Sequence, residues 1–179
     1  MATATGLTID DFERLPDDLA RNHELVDGEL VDVSGNCGQH NLFRDFLVEI
    51  LRPFVREHRL GTVIAEQEYD FEGNAHGPDI SFFSESKRPL FDPKRRVQRF
   101  VPDIAIEVVS TNDTLEKLVQ KAKRYRACGA AEVWIFSVEA RQAFLFSEHR
   151  RVILDENDEF RPETIPGFAI RIGDLLDRY

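Results

Sequence analysis

A run of aliphatic residues that contains one glutamate, IAIEVV at positions 104–109, constrains the fold of this chain more than any other segment. The run has no polar face, which is typical of a strand that helices cover on both sides. A helical segment follows, with cap candidates at 110–114 and a stop at Gly129, and then a second apolar run, EVWIFS, at 132–137. Because this unit has the length of a right-handed parallel crossover, the sequence predicts an α/β or α+β protein with a mixed sheet.

Patterns on both sides of this unit predict further elements. A capping-box-like Thr-x-x-Asp at Thr8 begins a short helix that ends near Pro16, and Asp27-Gly28 joins two alternating runs as a hairpin. Apolar periodicity predicts a long helix over 40–58, with Pro53 as a kink or a late break. The sequence also predicts a short C-terminal helix and strands at 61–66, 68–73, 79–83, 142–147 and 150–155.

Length and composition place the chain among ordinary globular proteins. Its 179 residues suit one domain, 42% of them are hydrophobic, and the chain contains no repeat or linker. We therefore expect a single domain over 1–179, in which 1–22 form an N-terminal extension with a short helix. The absence of a long apolar run and of a signal-peptide pattern, together with only two cysteines at unrelated positions, favours a reducing, cytoplasmic location without membrane contact.

Charge is unevenly distributed along the chain. The net charge is −10, yet residues 87–126 carry 11 lysines and arginines against 5 acidic residues. A basic segment on an acidic body suits a local contact with a polyanion. The alternative is that these charges only solvate a loop and a helix face.

Glu107 interrupts the central aliphatic run. An unpaired ionised carboxylate in a buried strand costs several kcal/mol, so Glu107 needs a cation, a proton or the open end of the strand. A glutamate that reaches solvent at the strand end is the simplest explanation. The functional explanation is a ligand of a hard cation such as Mg²⁺, which binds carboxylate and carbonyl oxygens.

Two Pro-Asp pairs compete as the source of a second carboxylate. Asp103 lies four residues before Glu107 on one extended segment, which separates their α-carbons by about 13 Å. Asp79 begins a different strand, and a neighbouring strand can bring it beside Glu107. Alone, Asp79 would suit a turn-capping role. Beside Glu107, we predict that it shares the metal ion and that Asp103 does not.

The helix after Glu107 offers cations to such a site. Lys117, Lys121 and Arg124 or Tyr125 follow i, i+4, i+7 spacing and therefore share a face. In phosphodiester hydrolysis a lysine can orient the attacking water and offset the charge that grows on the phosphate oxygens. A solvated helix face explains any single one of these lysines better.

The ordered set GPDIS (77–81), VPDIAIEVVS (101–110) and KLVQKAKRYRACGAAEVWIF (117–136) resembles the largely bacterial Uma-two family of endonucleases, in the PD-(D/E)xK nuclease superfamily. The likeness extends from about His23 to the C-terminus and includes HELVDGELVDV (23–33), His40 and Pro166-Gly167-Phe168. It implies an α/β, restriction-endonuclease-like core, in which helices flank a mixed β-sheet, with an N-terminal hairpin and a C-terminal β extension.

The resemblance also assigns roles to single residues. Asp79 and Glu107 correspond to the metal ligands, and Glu24 to a glutamate that serves as an outer ligand. The superfamily lysine usually lies two residues after the second acid, where this chain has Val109; the family places it on the next helix, at Lys121. Three further positions line the site: His40, Ser110 and Tyr125. Ser110 would also cap the helix. The chain departs from the family at His23 and at Ser110-Thr111, where Tyr and Ser-Pro are common, and neither departure removes a ligand.

These residues together predict a Mg²⁺-dependent phosphodiesterase that acts on DNA, with Mn²⁺ as a substitute and RNA not excluded as a substrate. Asp79, Glu107 and the Val108 carbonyl would hold the ion, while Lys121 would position the water or steady the phosphate. Backbone phosphates would contact the loop at 87–99 and the helix through Lys94, Arg95, Arg96, Lys117 and Arg124. The resemblance further suggests a homodimer.

Two alternatives to a catalyst stay open at this stage. The first is a nuclease-like module that binds nucleic acid without turnover. The second is a structural or interaction protein in which Glu107 and Lys121 form a buried ion pair. Replacement of both residues by apolar ones would then be almost neutral for stability, whereas removal of one would cost a few kcal/mol.

Overall fold

The computed structural model of the chain describes residues 6–33, 35–110 and 113–179. Its α-helices are α1 (Ile9–Glu13), α2 (Asp17–Ala20), α3 (Gly38–Glu57), α4 (Leu115–Ala127) and α5 (Ile172–Leu176), and a 3₁₀-helix covers Glu85–Leu90. Its strands are β1 (His23–Val26), β2 (Glu29–Asp32), β3 (Gly61–Ala65), β4 (Glu68–Phe71), β5 (Asn74–His76), β6 (Ile80–Ser84), β7 (Val97–Gln98), β8 (Ile104–Val108), β9 (Glu132–Ser137), β10 (Gln142–Ser147), β11 (Arg151–Leu154), β12 (Glu159–Phe160) and β13 (Ile170–Arg171). None of the helices in the described ranges is both long and apolar enough to cross a membrane.

A six-stranded mixed sheet with the order β11-β10-β9-β8-β6-β3 forms the centre of the molecule. Strands β8 and β9 are parallel neighbours joined through α4, as the crossover pattern predicted, and the other pairs of this sheet are antiparallel. Because β8 lies inside the sheet, every residue from Ile104 to Val108 is buried. The aliphatic run without a polar face is therefore explained by its central position.

The two long helices cover opposite faces of this sheet. Helix α3 buries Phe43 and Leu47 in one core cluster together with Ile106. Helix α4 buries Leu118 and Ala122 in a second cluster with alternate strand residues. Successive strand side chains point to opposite faces, so Glu107 lies on the face that α4 covers.

A second, five-stranded sheet with the order β2-β1-β5-β4-β7 carries the N-terminal hairpin. The turn residues Asp27 and Gly28 have φ angles of 51° and 84°, which match a two-residue hairpin turn. A Cβ atom on Gly28 would lie 2.8 Å from the backbone of Gly6, so this close approach also requires glycine. Strand β1 pairs with β5 at Leu25 and Ala75, and this pairing fixes the hairpin beside the rest of the molecule.

Several boundaries differ from the sequence-based predictions. The helix around Pro53 continues to Glu57, so the expected late break is wrong. The predicted strand at 68–73 ends at Phe71, and a turn leads into β5, which no pattern indicated. The N-terminal extension contains α2 as well as the predicted helix α1, whose capping box at Thr8 is present. Very short strands such as β5 and β7 depend on their pairing partners rather than on local propensity, and a pattern search does not detect them.

Candidate active site

The pairing of β6 with β8 decides between the two Pro-Asp pairs. Ile80 lies opposite Ile106 in this antiparallel ladder, and extending the register by one residue places Asp79 opposite Glu107. The Val108 N–H donates to Asp79 Oδ2 at 2.7 Å. Asp103 lies at the other end of β8 and forms a 2.7 Å ion pair with Lys87. The structure thus brings Asp79, and not Asp103, beside Glu107.

Two residues of helix α4 contact the carboxyl group of Glu107. The hydroxyl of Tyr125 donates to Glu107 Oε1 at 2.8 Å, and Lys121 Nζ lies 3.5 Å from the same oxygen. Burial raises the pKa of Glu107 above its usual range, and the nearby carboxylates of Asp79 and Glu24 add to this, while Lys121 and Tyr125 only partly oppose it. A buried carboxyl with a raised pKa beside other acids is a group that an added cation would stabilise.

Glu24 reaches the site from the hairpin, on a different sheet. Its carboxylate accepts hydrogen bonds from His76 Nδ1 at 2.9 Å, from the Gly77 N–H at 3.2 Å and from Lys121 Nζ at 3.0 Å. Burial acts to raise the pKa of Glu24, but Lys121 and His76 outweigh it and lower that pKa to about 2. Lys121 therefore lies between two acids, and their combined attraction raises its own pKa despite burial.

Asp79 has a second fixed partner in His40, near the start of α3. His40 Nε2 lies 3.1 Å from Asp79 Oδ2, and only 2% of the His40 side chain is exposed. Burial tends to lower the pKa of His40, but the hydrogen bond with Asp79 outweighs it and raises the pKa. His40 thus contacts a proposed metal ligand directly, which is a closer involvement than the site-lining position expected from the sequence.

His76 is a buried residue of the site that sequence reasoning missed. Arg124 Nη1 lies 3.4 Å from His76 Nε2, and since a guanidinium can only donate, Nε2 is the acceptor and Nδ1 carries the proton given to Glu24. Arg124 is itself held by Asn74 at 3.0 Å and Asp27 at 3.3 Å. The only sequence signal was the position of His76, three residues before Asp79. Arg124, predicted as a phosphate contact, is engaged in this network.

The acids, the two histidines, Lys121 and Arg124 line one cleft of about 1070 Å³, which also includes Ser110, Lys117, Arg95 and Arg96 but not Lys94. Tyr125 is fully buried and is not part of this lining. Ser110 donates through its N–H and hydroxyl to Asp113 at 2.7 and 2.8 Å. The N-cap of α4 is instead Thr114, so the expected capping role of Ser110 is wrong. Thr111, which was part of the predicted cap segment, lies outside the described residues.

The predicted phosphate contacts differ in availability. Arg96 forms a bidentate pair with Glu68 at 2.7 and 2.8 Å and lies over the Phe12 ring. Arg95 lies 3.6 Å from Glu13, and Lys94 is exposed outside the cleft lining. Lys117 is exposed in the cleft. Of the five predicted contacts, the cleft therefore offers Lys117 most freely.

The donor set of the site suits a hard divalent cation. Asp79 and Glu107 supply carboxylate oxygens from adjacent strands, which are the ligands that Mg²⁺ and Mn²⁺ prefer. In the part of the chain that the structure describes, no group of three or more His, Cys, Asp or Glu side chains is arranged to hold a metal ion. Mg²⁺ commonly binds through one or two carboxylates, with waters and substrate phosphates completing its shell, so a two-carboxylate site fits this ion.

The contribution of the Tyr125 hydroxyl to stability can be isolated by replacing Tyr125 with Phe. This change keeps the stacking of the ring on Phe71, with ring centroids 4.3 Å apart. The buried carboxyl of Glu107 would lose its hydroxyl donor, and we expect the free energy of unfolding to fall by about 1–2 kcal/mol. Urea denaturation measures this change. Tyr179→Phe is the matched control, since among the described residues its hydroxyl bonds to the exposed Gln39, and it should change stability by less than about 0.5 kcal/mol. Equal losses in both variants would contradict the role given to Tyr125.

The mixed sheet and its flanking helices define a restriction-endonuclease-like fold. A family model described as Uma2, putative restriction endonuclease, matches residues 9–173, and the chain belongs to this family.

One solved structure shows the same fold. A crystal structure of a putative nuclease belonging to DUF820 from Anabaena variabilis superposes with a TM-score of 0.84 at 20% identity, over 96% of this chain and 98% of that one. A DrdV–DNA complex matches with a TM-score of 0.41 at 18% identity, over 73% of this chain and 10% of that one. No curated protein matches the sequence.

Proposed function

We propose that this protein is a Mg²⁺-dependent endonuclease that hydrolyses phosphodiester bonds of DNA. The observation that carries the proposal is the alignment of Asp79 with Glu107 on neighbouring strands, with Lys121 Nζ 3.5 Å from Glu107. Membership of a family described as restriction endonucleases supports a nuclease. The homodimer and the cytoplasmic location expected from the sequence stay predictions.

Each residue of the site has a definite task in this proposal. A Mg²⁺ ion held by Asp79 and Glu107 would polarise the phosphate and lower the pKa of a bound water. His40 and the Val108 N–H fix the orientation of Asp79, and Tyr125 fixes that of Glu107. In the reaction, the oxygen of water forms a bond to phosphorus and the water gives up one proton, the bond from phosphorus to the leaving oxygen breaks, and the leaving oxygen takes up one proton from solvent.

Lys121 and Glu24 act together beside the reacting phosphate. The ammonium of Lys121 stays charged because its two acidic neighbours raise its pKa. A fixed positive charge at this position offsets the charge that grows on the phosphate oxygens and orients the attacking water. Glu24 holds Lys121 in place through the 3.0 Å contact.

The two Pro-Asp pairs provide a matched test of the proposal. We expect Mg²⁺ binding, measured by calorimetry, and cleavage of DNA, assayed on supercoiled and on single-stranded substrates, to be present in the wild type and lost in Asp79→Asn, because the variant removes one carboxylate charge from the ion. Asp103→Asn changes the same residue type at the far end of β8, where it contacts Lys87 and Ser84, and should keep both activities.

Two outcomes would contradict the proposal. If wild-type protein neither binds Mg²⁺ nor nicks DNA, the catalytic function is wrong. If it binds DNA without cutting it under any divalent cation, the protein is a nucleic-acid-binding module built on a nuclease fold.

A further inference from the structure

The basic segment predicted to contact a polyanion uses most of its charge inside the protein. Of its 11 lysines and arginines, seven form ion pairs with acidic residues of the described chain. Arg99, for example, reaches Asp10 and Glu13 of helix α1, and Arg96 pairs with Glu68. A charge that is already paired gains little from a phosphate, because the new contact must replace the old one.

In the cleft, acidic residues likewise offset most of the basic residues. Its described lining contains eight acidic and six basic residues, and five of each remain when Glu24, Asp79, Glu107 and Lys121 are set aside. Among the basic residues of this lining, Arg21 and Lys117 are exposed and form no ion pair with a described acidic residue. Among the described residues of its lining, the cleft therefore offers two cations without an ion pair, one beside the hairpin and one on the first turn of α4.

The carboxylates of the site are also largely buried in the wall of this cleft. The exposed fraction of the side chain is 14% for Asp79, 8% for Glu107 and 7% for Glu24. A DNA duplex carries one negative charge per about 1.7 Å of its axis, and proteins that hold it neutralise a row of phosphates on both strands. A recessed site with two free cations is poorly matched to such a row of charges.

We infer that the substrate strand enters the cleft as single-stranded DNA, with Arg21 and Lys117 each contacting one of its backbone phosphates. This inference rests on the proposed function, which places the scissile phosphate at Asp79 and Glu107. The described lining contains no Phe, Tyr or Trp, so the bases are not stacked on aromatic rings and the contact is made with the backbone.

The salt dependence of binding measures the number of phosphate contacts. The probes are a fluorescent single-stranded oligonucleotide and the same sequence as a duplex, bound to the wild type in EDTA between about 50 and 200 mM NaCl. For the single strand we expect the slope of log K against log salt to be near −1.4, since each contact contributes about −0.7. Arg21→Gln and Lys117→Gln should each weaken binding and make the slope shallower by about 0.7. Lys123→Gln changes an exposed lysine of α4 outside the cleft lining and should leave the slope unchanged.

Cleavage of the same two probes in Mg²⁺ separates this inference from the proposed function. Faster cutting of the single strand, with the expected slopes, supports both. Cutting and tighter binding of the duplex, with a slope several-fold steeper than −1.4, would overturn the single-strand inference and leave the endonuclease proposal intact. Single-strand binding with the expected slopes but no cutting would overturn the endonuclease proposal and keep the binding site. An absence of both binding and cutting would overturn both.

Discussion

Replacement of Lys121 by Met is expected to reduce Mg²⁺-dependent DNA cleavage by about 100- to 1,000-fold, the loss typical of removing one preorganised charge-stabilising group. In metal-free buffer the same variant should lose about 3 kcal/mol of unfolding free energy, because Glu24 and Glu107 keep their buried carboxyl groups without a cation between them. The loss should lie at the low end of the range for buried pairs, since 25% of the Lys121 side chain is exposed.

The two effects of Lys121→Met can be measured separately. Cleavage of supercoiled and of single-stranded DNA reports the cleavage rate, and urea denaturation in EDTA reports stability. Mg²⁺ should stabilise the variant more than the wild type, because the ammonium no longer competes with the ion for Glu107. Lys123→Met serves as the control: Lys123 lies on the same helix but is exposed, and its replacement should change neither property.

Two results would contradict this account of Lys121. Cleavage at the wild-type rate by a destabilised Lys121→Met variant would make the lysine a counterion rather than part of the catalytic machinery. If a Glu107→Leu and Lys121→Met double variant matched the wild type in stability, and neither protein bound Mg²⁺, the pair would be a structural ion pair.

Replacement of Glu132 by Leu is expected to lower the free energy of unfolding by about 3 kcal/mol or more. Glu132 is buried in β9, and its carboxylate accepts from Trp134 Nε1 at 2.7 Å, from the Glu163 N–H at 2.6 Å and from the Thr164 N–H at 3.1 Å. Leucine offers no acceptor, so the buried Trp134 Nε1 donor is left without a partner, which costs about 1–3 kcal/mol, and the loss of the two part-buried N–H contacts adds to it. Denaturation by urea, followed by fluorescence of the single tryptophan, measures the loss.

The destabilisation by Glu132→Leu should also be local to the C-terminal β extension, which comprises β12, β13 and the segment between them. The Glu163 and Thr164 contacts fasten the segment that brings Phe160 into the core against Trp134, with ring centroids 4.8 Å apart. We expect hydrogen exchange in this segment to increase before the rest of the sheet changes. Glu139→Leu, at an exposed turn position, is the control and should shift stability by less than about 0.5 kcal/mol. A comparable loss in Glu139→Leu would show that added surface leucine, and not the missing carboxylate, destabilises the protein.

The strand–helix–strand unit and the hairpin could be predicted because their signals are local. A buried parallel strand needs an aliphatic run, and a two-residue hairpin turn needs residues such as Asp27-Gly28 that tolerate positive φ. The choice of Asp79 over Asp103 as the partner of Glu107 could also be predicted from the sequence. Asp103 lies four residues before Glu107 on an extended strand, which is too far for the two side chains to share an ion. The structure places these three acids as that distance requires.

The charge partners could not be predicted from the sequence. A basic segment is visible as composition, but the acids that neutralise it come from distant parts of the chain: Glu13 pairs with Arg99 and Glu68 with Arg96. His76 was missed for a related reason. It belongs to a three-residue strand that pairs with β4 and with β1, and the pairing with β1 brings it to Glu24.

The sequence by itself determined the longer elements, the central position of the strand that carries Glu107, and the chemistry available in its acids and lysines, because each depends on a short stretch of chain. Only the tertiary structure decided which charges remain free. Ion pairs form between whichever side chains the packed sheets bring within a few ångströms, and that proximity is a property of the folded chain, not of any segment. Lys121 became a bridge between Glu24 and Glu107 in this way, while Arg21 and Lys117 were left exposed in the cleft.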